Sequence, residues 1–259
     1  MKKIAFMALL GLVPPALAED QVVVSSTNTP VVVEEEASTV GQHGFYYALG
    51  LLLCNSGERV DYYDTQGVRT TESNDFTTHI GATLAFGYQF MPQSQPYCIG
   101  LEIGSDFSPR HEKTESHKLD PNRNGSQNKY YDQKTTRNGF RPFVAFRGGY
   151  VNYDHKFMVY VKAGMSYADS KEIYSELLLN STGTAYVDGA SHTVKCSYWM
   201  PIIALGIEKS FTNNFTLRGE AEYRFAKTKE KKYSGGDMTK LTQKGTINVR
   251  VLFCHNIRL

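Results

Sequence analysis

The sequence lacks a long hydrophobic run. Beyond the N-terminal segment, the longest uninterrupted apolar stretch is residues 48–54, whereas a transmembrane helix needs about 20 consecutive apolar residues. Transmembrane helices are therefore excluded beyond that segment. No charge of one sign dominates either, because 28 Lys and Arg residues stand against 26 Asp and Glu residues, for a net charge of +2. This balance gives no basis for nucleic-acid binding.

Tryptophan is nearly absent, with one residue, but tyrosine (17) and phenylalanine (14) are abundant. This composition suits β-strands and the aromatic belts at membrane surfaces. Mean hydropathy is −0.38, a value typical of soluble proteins. A transmembrane barrel also averages polar, however, because its lumen, loops and turns dilute its lipid face. The length accommodates one large β domain or two small ones.

The N-terminus has the composition of an export signal. Two lysines precede an apolar run over 4–13 and a small-residue cleavage site at Ala18, so we predict a Sec signal peptide over residues 1–18. A retained membrane anchor is disfavoured, because the apolar run is about half the required length. Residues 19–42 contain two valine triplets, a glutamate triplet and a Ser/Thr/Gly stretch. They predict a flexible periplasmic leader, with an extra strand or a partner-binding segment as the alternative.

The clearest strand pattern lies at residues 214–226, which read NFTLRGEAEYRFA. Apolar and aromatic side chains alternate there with a charged set, which consists of Arg218, Glu220, Glu222 and Arg224. A period of two places each set on one face of a β-strand. Similar alternation recurs along the chain and predicts eight strands, at residues 43–55, 76–90, 96–108, 139–151, 156–168, 193–209, 214–226 and 245–259.

The connections between these strands alternate in length. Three are short turns, at residues 91–95, 152–155 and 210–213, and four are long and polar, at residues 57–75, 109–138, 169–190 and 227–244. A transmembrane barrel has short periplasmic turns and long outer loops, whereas nothing requires a soluble sandwich to keep its short turns at one end. We therefore predict an all-β fold: an eight-stranded antiparallel up-and-down transmembrane barrel over residues 43–259. A soluble sandwich is the alternative.

The predicted lumen face of the strands carries five cations and five carboxylates. These residues are Glu102, Asp106, Arg147, Lys162, Glu208, Arg218, Glu220, Glu222, Arg224 and Arg250. A cation on the lipid face costs about 2–4 kcal/mol at mid-bilayer, so the charged face belongs inside. Buried charges need partners, and the interior of eight strands is just filled by side chains. We therefore predict a lumen plugged by paired charges rather than an open channel.

The four cysteines, Cys54, Cys98, Cys196 and Cys254, each fall within a predicted strand. In the predicted order no two of those strands are neighbours, and a disulfide needs Cα atoms within about 7 Å. We therefore expect free thiols in a packed interior. The sequence has neither a C-x-x-C motif nor a His/Cys cluster, which argues against a zinc site. We expect no metal and no cofactor.

The segments FYYALGLLL (45–53) and FTLRGEAEYRF (215–225), together with the signal peptide and the eight amphipathic strands, resemble the opacity family and related OmpA-like small outer-membrane barrels. The resemblance implies an eight-stranded barrel in the outer membrane of a Gram-negative bacterium, with outer loops that mediate adhesion or surface interaction. It implies contact with outer-membrane lipid, lipopolysaccharide and the barrel-insertion machinery. Such proteins usually end in an aromatic residue, whereas this chain ends in Leu259, and His255 interrupts the lipid-facing row.

The long connections carry uneven charge. Connections 109–138 and 227–244 are basic, whereas 57–75 and 169–190 are acidic. Either these loops attract one another and hold the rim together, or the two basic loops form a surface for an anionic partner, such as host polysaccharide or lipopolysaccharide phosphate. The candidate residues of that surface are Arg110, Lys113, Lys118, Arg123, Lys129, Lys134, Arg137, Lys227, Lys229, Lys231, Lys232, Lys240 and Lys244.

An outer-membrane enzyme is a contrasting possibility. An enzyme that modifies lipid A or cleaves peptides at the rim needs a histidine with a carboxylate or a serine. Candidates by position are His79, His111, His117 and His192. Their spacing specifies no nucleophile, so we expect no enzyme. A small diffusion porin is disfavoured by the paired charges predicted for the lumen.

Overall fold

The computed structural model describes residues 43–63, 67, 69–92, 95–118, 130–179, 186–212, 214–232 and 238–257. The predicted signal peptide (1–18) and leader (19–42) lie outside these residues. The strands are β1 (Gly44–Tyr63), β2 (Arg69–Phe90), β3 (Tyr97–Phe107), β4 (His111–Lys118), β5 (Tyr130–Arg137), β6 (Phe140–Asn152), β7 (Phe157–Leu179), β8 (Tyr186–Ser210), β9 (Phe215–Arg224), β10 (Lys227–Lys232), β11 (Met238–Gln243) and β12 (Thr246–Ile257). Within the described ranges, no helix has the length and apolar character needed to cross a membrane.

Eight of these strands close a barrel in the order β1–β2–β3–β6–β7–β8–β9–β12, and β12 pairs back onto β1. Each of these pairs is antiparallel. The closing pair runs in continuous register from Phe45 opposite Ile257 to Cys54 opposite Asn248. Closure of this kind removes the free edges that an open sheet exposes. The eight-stranded antiparallel barrel predicted from the alternation is confirmed.

The two faces of the barrel wall differ in polarity. Outward side chains are large and apolar; Leu51 is 68% and Phe146 is 71% exposed. Inward side chains include Glu222 and Arg250, each 1% exposed. A continuous apolar surface of this extent is unfavourable in water and suits lipid acyl chains. The wall therefore turns a surface compatible with lipid outward and keeps its ions inside.

Short turns join the barrel strands at one end, over residues 91–96, 153–156 and 211–214. The second turn is held by the Asn152 side chain, whose Oδ1 accepts a hydrogen bond from His155 N at 2.9 Å. Asparagine is common in turns because its side chain makes such local contacts. The predicted short turns are confirmed.

At the opposite end, much of the predicted loop structure is β-strand. β1 and β2 stay paired out to Tyr63 and Arg69, and β7 and β8 stay paired out to Leu179 and Tyr186. β4 and β5 form a hairpin, as do β10 and β11. No hydrophobic alternation marks these segments in the sequence, because their outward face meets water rather than lipid and is polar. The regular strands therefore extend well beyond the predicted barrel wall.

Beyond the barrel these strands form two sheets. The first outer sheet has the order β10–β11–β1–β2, and the second outer sheet has the order β4–β5–β7–β8. The sheets meet at two seams, where side chains make the contacts. His79 of β2 lies against His111 of β4 with ring centroids 5.4 Å apart, and Lys231 Nζ of β10 donates to the Thr193 carbonyl of β8 at 2.9 Å. The apolar cluster between the sheets consists of Val60, Ala168, Val194, Cys196, Tyr198, Met200 and Leu241.

All four cysteines are free and buried, as predicted. One premise of that prediction is wrong, because β1 and β12 are neighbours in the closed barrel, so Cys54 and Cys254 lie on adjacent strands. Cys254 pairs with Ala48, whereas Cys54 pairs with Asn248, so the two cysteines are offset by six residues (48 to 54). At the usual rise along a strand this offset separates them by about 20 Å, which prevents a disulfide.

Candidate functional site

Lys162 of β7 is buried in the lumen. Its Nζ donates to Glu102 Oε1 at 3.2 Å and to Glu220 Oε1 at 2.6 Å. Each of these carboxylates also accepts a hydrogen bond from a buried tyrosine: Tyr46 Oη donates to Glu102 at 2.7 Å, and Tyr160 Oη donates to Glu220 at 2.9 Å. The ammonium group therefore bridges two carboxylates that are held in place by phenol groups.

Two glycines make room for the tyrosine rings. Tyr46 lies directly opposite Gly87, and Tyr160 lies directly opposite Gly206. A Cβ at either glycine would overlap the facing ring. An aromatic ring that covers a glycine on the neighbouring strand is a known device for stabilising sheets, and here it also aims the two phenol groups into the lumen.

Two arginines lie between the tyrosine rings. The Arg147 guanidinium is 4.3 Å from the centre of the Tyr160 ring, and the Arg218 guanidinium is 4.8 Å from the centre of the Tyr46 ring. Both bind the same carboxylate: Arg147 Nη2 donates to Glu208 at 2.7 Å, and Arg218 Nε donates to it at 3.1 Å. Stacking on the rings allows the two like charges to share one carboxylate, since each ring face attracts a cation.

Arg250 of β12 organises the part of the lumen nearer the outer sheets. Its guanidinium donates to Asp106 Oδ2 at 2.7 Å, to Glu222 Oε2 at 2.8 Å, and to Glu220. Arg224 Nε donates to Glu222 at 2.8 Å, and Arg224 Nη2 donates to Asp106. Charge-assisted bonds of this kind are the strong ones among protein hydrogen bonds. The arginines and carboxylates here form one connected network.

The structure brings together all ten residues predicted to line the lumen, each 3% exposed or less. Several of their contacts cross the barrel. Arg218 of β9 donates to Glu102 of β3 at 2.5 Å, and these strands are four positions apart in the eight-stranded ring, so they form opposite walls. Ion pairs across the diameter therefore occupy part of the lumen. They also fix the positions of opposite walls relative to one another.

Sequence reasoning missed one interior cation. Arg141 of β6 is 8% exposed and lies opposite Asp106 in the strand register. With it, the barrel interior holds six cations against five carboxylates. The sequence spacing could have identified Arg141 as a lumen residue. Arg141 and Arg147 are an even number of residues apart and therefore point to the same face of the strand.

Arg137 was predicted to belong to an exposed cationic surface, and that prediction is wrong. Its side chain is 3% exposed, its Nε donates to Glu58 Oε2 at 2.8 Å, and its Nη1 donates to Ser56 Oγ at 3.1 Å. Glu58, predicted in an acidic outer loop, is 2% exposed. The physical reason is that these segments are strands rather than loops, so alternate side chains turn inward. The pair links the first outer sheet to the second.

Glu172 of β7 is a second buried carboxyl group between the outer sheets, with 2% exposure. Burial raises the pKa of Glu172 to about 8, and the nearby Glu58 adds a smaller effect in the same direction. Among the side chains that the structure describes, none donates a hydrogen bond to Glu172 Oε2. This carboxyl group therefore keeps its proton at neutral pH.

The other predicted surface cations of residues 109–138 are mostly engaged or outside the described ranges. Arg110 and Lys134 bind the same carboxylate, Glu112, at 2.9 and 3.4 Å. Lys113 is half-buried and has a partner. Arg123, Lys129 and the side chain of Lys118 lie outside what the structure describes. The β4–β5 hairpin therefore presents little uncompensated positive charge in its described part.

The lysines of residues 227–244 lie on a different sheet. Four of them, Lys227, Lys229, Lys231 and Lys232, lie on β10, where every residue is exposed. Lys240 pairs with Glu230 at 3.1 Å, and Lys244 is half-buried. β4 lies at the seam with β2, whereas β10 lies at the seam with β8. The described parts of the two basic segments are therefore found at different seams.

The candidate catalytic histidines are only partly described. His79 contacts His111 across one seam, and one nitrogen of His79 lies 3.0 Å from Thr77 Oγ1. The side chains of His117 and His192 lie outside the described residues. In the described part of the chain, no group of three or more His, Cys, Asp or Glu side chains has the arrangement of a metal site.

Comparison with known proteins identifies the fold. The model of the OmpA-like transmembrane domain family matches residues 55–253. No curated protein sequence matches the chain. Similar solved structures are the attachment invasion locus protein Ail of Yersinia pestis (13% identity, TM-score 0.34, 82% of this chain and 99% of that chain), the outer membrane protease OmpT from Escherichia coli (12%, 0.43, 82% and 96%) and the outer membrane protein OprG from Pseudomonas aeruginosa (11%, 0.46, 85% and 99%).

Proposed function

Since this chain belongs to the OmpA-like transmembrane domain family, we propose that it is a non-enzymatic outer-membrane barrel whose outer sheets bind anionic partners at the cell surface. The partners in question carry dense negative charge, as lipopolysaccharide phosphates and acidic host polysaccharides do. In this proposal the lumen network is a rigid closed base, and the outer sheets are the working surface.

The exposed edge strand β10, Lys227–Lys232, is the observation that carries this proposal. Its sequence KTKEKK is exposed along its whole length. The only carboxylate in it, Glu230, is engaged with Lys240 at 3.1 Å. Six strand residues span about 20 Å, so the fields of the four lysines overlap and attract an anion from a distance. Lysines also protect an edge strand from pairing with other chains, and this structural role is the competing explanation.

Two further lysines, Lys171 of β7 and Lys195 of β8, extend the positive charge across the seam. They lie directly opposite each other in register. Like charges in that position destabilise a strand pair, and a bound anion offsets their repulsion. Thr193, two residues before Lys195, accepts the hydrogen bond from Lys231 of β10. Edge protection of β10 does not explain lysines on β7 and β8. We call the set Lys171, Lys195, Lys227, Lys229, Lys231 and Lys232 the lysine surface.

The lumen contacts support a binding protein over a porin. Arg218 reaches Glu102 on the opposite wall, and Lys162 bridges Glu102 and Glu220. A pore would need these pairs to separate, and breaking a buried ion pair costs about 3–5 kcal/mol. An enzymatic role would require activity that depends on one of the four candidate histidines. Singly substituted variants of His79, His111, His117 and His192, assayed for lipid A modification and peptide cleavage, test it.

A binding experiment tests the anionic-partner proposal. The variant K227Q/K229Q/K231Q/K232Q and the wild type are compared for binding to immobilised heparin and to vesicles that contain lipopolysaccharide. Each lysine near an anionic surface contributes about 1 kcal/mol, so the four substitutions together should remove about 4 kcal/mol of binding free energy. The variant should therefore lose affinity by a factor of several hundred, since about 1.4 kcal/mol corresponds to tenfold. Raising the salt to 1 M should abolish wild-type binding, because the Debye length falls to about 3 Å.

The matched control changes two exposed cations at the short-turn end, in the variant K156N/K209Q. Lys156 has φ of 52°, and asparagine tolerates that left-handed backbone conformation. This control should bind like the wild type. Unchanged binding by the β10 variant, or wild-type binding that persists at high salt, would refute the proposal.

A further inference from the structure

A small cavity lies where the barrel opens into the space between the outer sheets. It has a volume of about 10 Å³, and we call it the throat cavity. Three arginines line it, Arg137, Arg141 and Arg224. Three side chains with neutral polar groups also line it, Asn138, Gln243 and Thr246. No carboxylate other than Asp169, which accepts a hydrogen bond from Ser197 at 2.9 Å, lines the described wall of the cavity.

Arg141 is the unusual member of this set. Its side chain is more than nine-tenths buried, yet within the described residues it makes no ion pair and no side-chain hydrogen bond. A buried cation without a partner is strongly disfavoured. Arg224 shows the same deficit in part, because its buried Nη1 has no hydrogen-bond partner among the described groups.

The neighbouring carboxylates already accept hydrogen bonds from other groups. Asp106 Oδ1 accepts from Thr83 at 2.6 Å and from Arg250 at 3.1 Å, and its Oδ2 accepts from Arg250 and Arg224. Glu58 accepts from Arg137 at 2.8 Å and from Ser170 at 3.2 Å. Asp106, which lies opposite Arg141 in the register, is thus shared with Arg250 and Arg224. Asp169 is the one carboxylate in the described wall of the cavity, against three arginines, so positive charge remains in excess there.

We propose that the throat cavity is a binding site for a small monatomic anion of the halide class. Arg141 and Arg224 would supply the charge, and Thr246 and the Asn138 amide offer neutral donors. A volume of about 10 Å³ corresponds to roughly one water-sized sphere. A chloride ion is larger than water by a few tenths of an ångström in radius, so its entry requires the flexible arginine side chains to shift outward by that amount, whereas phosphate, sulfate and saccharides are far too large. The site is therefore distinct from the lysine surface.

The binding itself is tested by diffraction from crystals soaked in sodium bromide. Anomalous scattering should show a bromide ion in contact with the guanidinium groups of Arg141 and Arg224. The same soak of the variant R141M should show no ion there. Absence of bromide from the wild-type cavity would overturn the proposal, as would an undiminished bromide peak in R141M.

A solution measurement tests the same site independently. The urea midpoint of the wild type in lipid vesicles should rise when sodium chloride replaces sodium gluconate at constant ionic strength, because a ligand that binds only the folded state stabilises it. R141M should lose this shift. The control R59M should keep it, since Arg59 is partly exposed and pairs with Asp61 at 3.0 Å. A wild-type midpoint insensitive to chloride would overturn the proposal even if R141M failed to fold.

Discussion

Replacing Glu172 by glutamine should change how the stability of the protein depends on pH. In the unfolded chain this carboxyl group titrates near 4.5, whereas burial raises its pKa to about 8 in the folded protein. Below pH 4.5 both states hold the proton. Between pH 4.5 and 8 the unfolded chain releases it and the folded protein keeps it, so wild-type stability falls as the pH rises through this window. A shift of this size corresponds to a loss on the order of 5 kcal/mol.

The assay is equilibrium urea unfolding in lipid vesicles at pH 5 and pH 8.5, followed by the fluorescence of Trp199, the single tryptophan. The variant E172Q has no proton to release, so it should lose most of the decrease between the two pH values and be more stable than the wild type at pH 8.5. The control E112Q removes an exposed carboxylate of the second outer sheet and should keep the wild-type slope. An E172Q slope equal to that of the wild type would refute the reasoning.

Three further substitutions test the barrel wall and lumen through the urea-unfolding free energy. R250M leaves three buried carboxylates, including Asp106, without their shared cation and should cost about 3–5 kcal/mol; a loss below about 1 kcal/mol would contradict the network. F146R places a cation on the lipid face and should cost about 2–4 kcal/mol, whereas F211R, in a turn, should cost about 0–1 kcal/mol; equal costs would count against the membrane orientation. G206A should displace the Tyr160 ring and cost about 1–3 kcal/mol, whereas G219A, whose added Cβ would lie 3.8 Å from its nearest neighbour, should be nearly neutral; equal effects would show that ring packing is unimportant.

The barrel wall was predictable because lipid and lumen impose opposite polarity on alternate residues. The strand predicted at 214–226 is β9, Phe215–Arg224, and its charged residues all point inward. The alternation of apolar and charged side chains along each strand was enough to assign ten charged residues to the lumen. It required no knowledge of register, since every strand that crosses the membrane faces the same two environments.

The outer sheets and the contacts between them could not be predicted from the local sequence pattern. In the outer sheets the outward face contacts water, and the inward face mixes apolar residues such as Leu241 with buried carboxyl groups such as Glu58. These strands therefore lack the regular alternation of the barrel wall, and β10 is exposed along its whole length. Arg137 and Glu58 are far apart in sequence, and their pairing depends on how the two outer sheets face each other. The juxtaposition of Lys171 and Lys195 depends on strand register, which the sequence alone leaves open.

Single-channel recording in planar lipid bilayers tests most directly the central claim that ion pairs close the lumen. The wild-type barrel, inserted at neutral pH in moderate salt, should give no steady conductance above that of a protein-free bilayer, because Arg218, Lys162 and Arg250 hold carboxylates across the lumen. A large and steady conductance from the wild-type protein would contradict the closed lumen, and with it the proposal that the outer sheets alone carry the function.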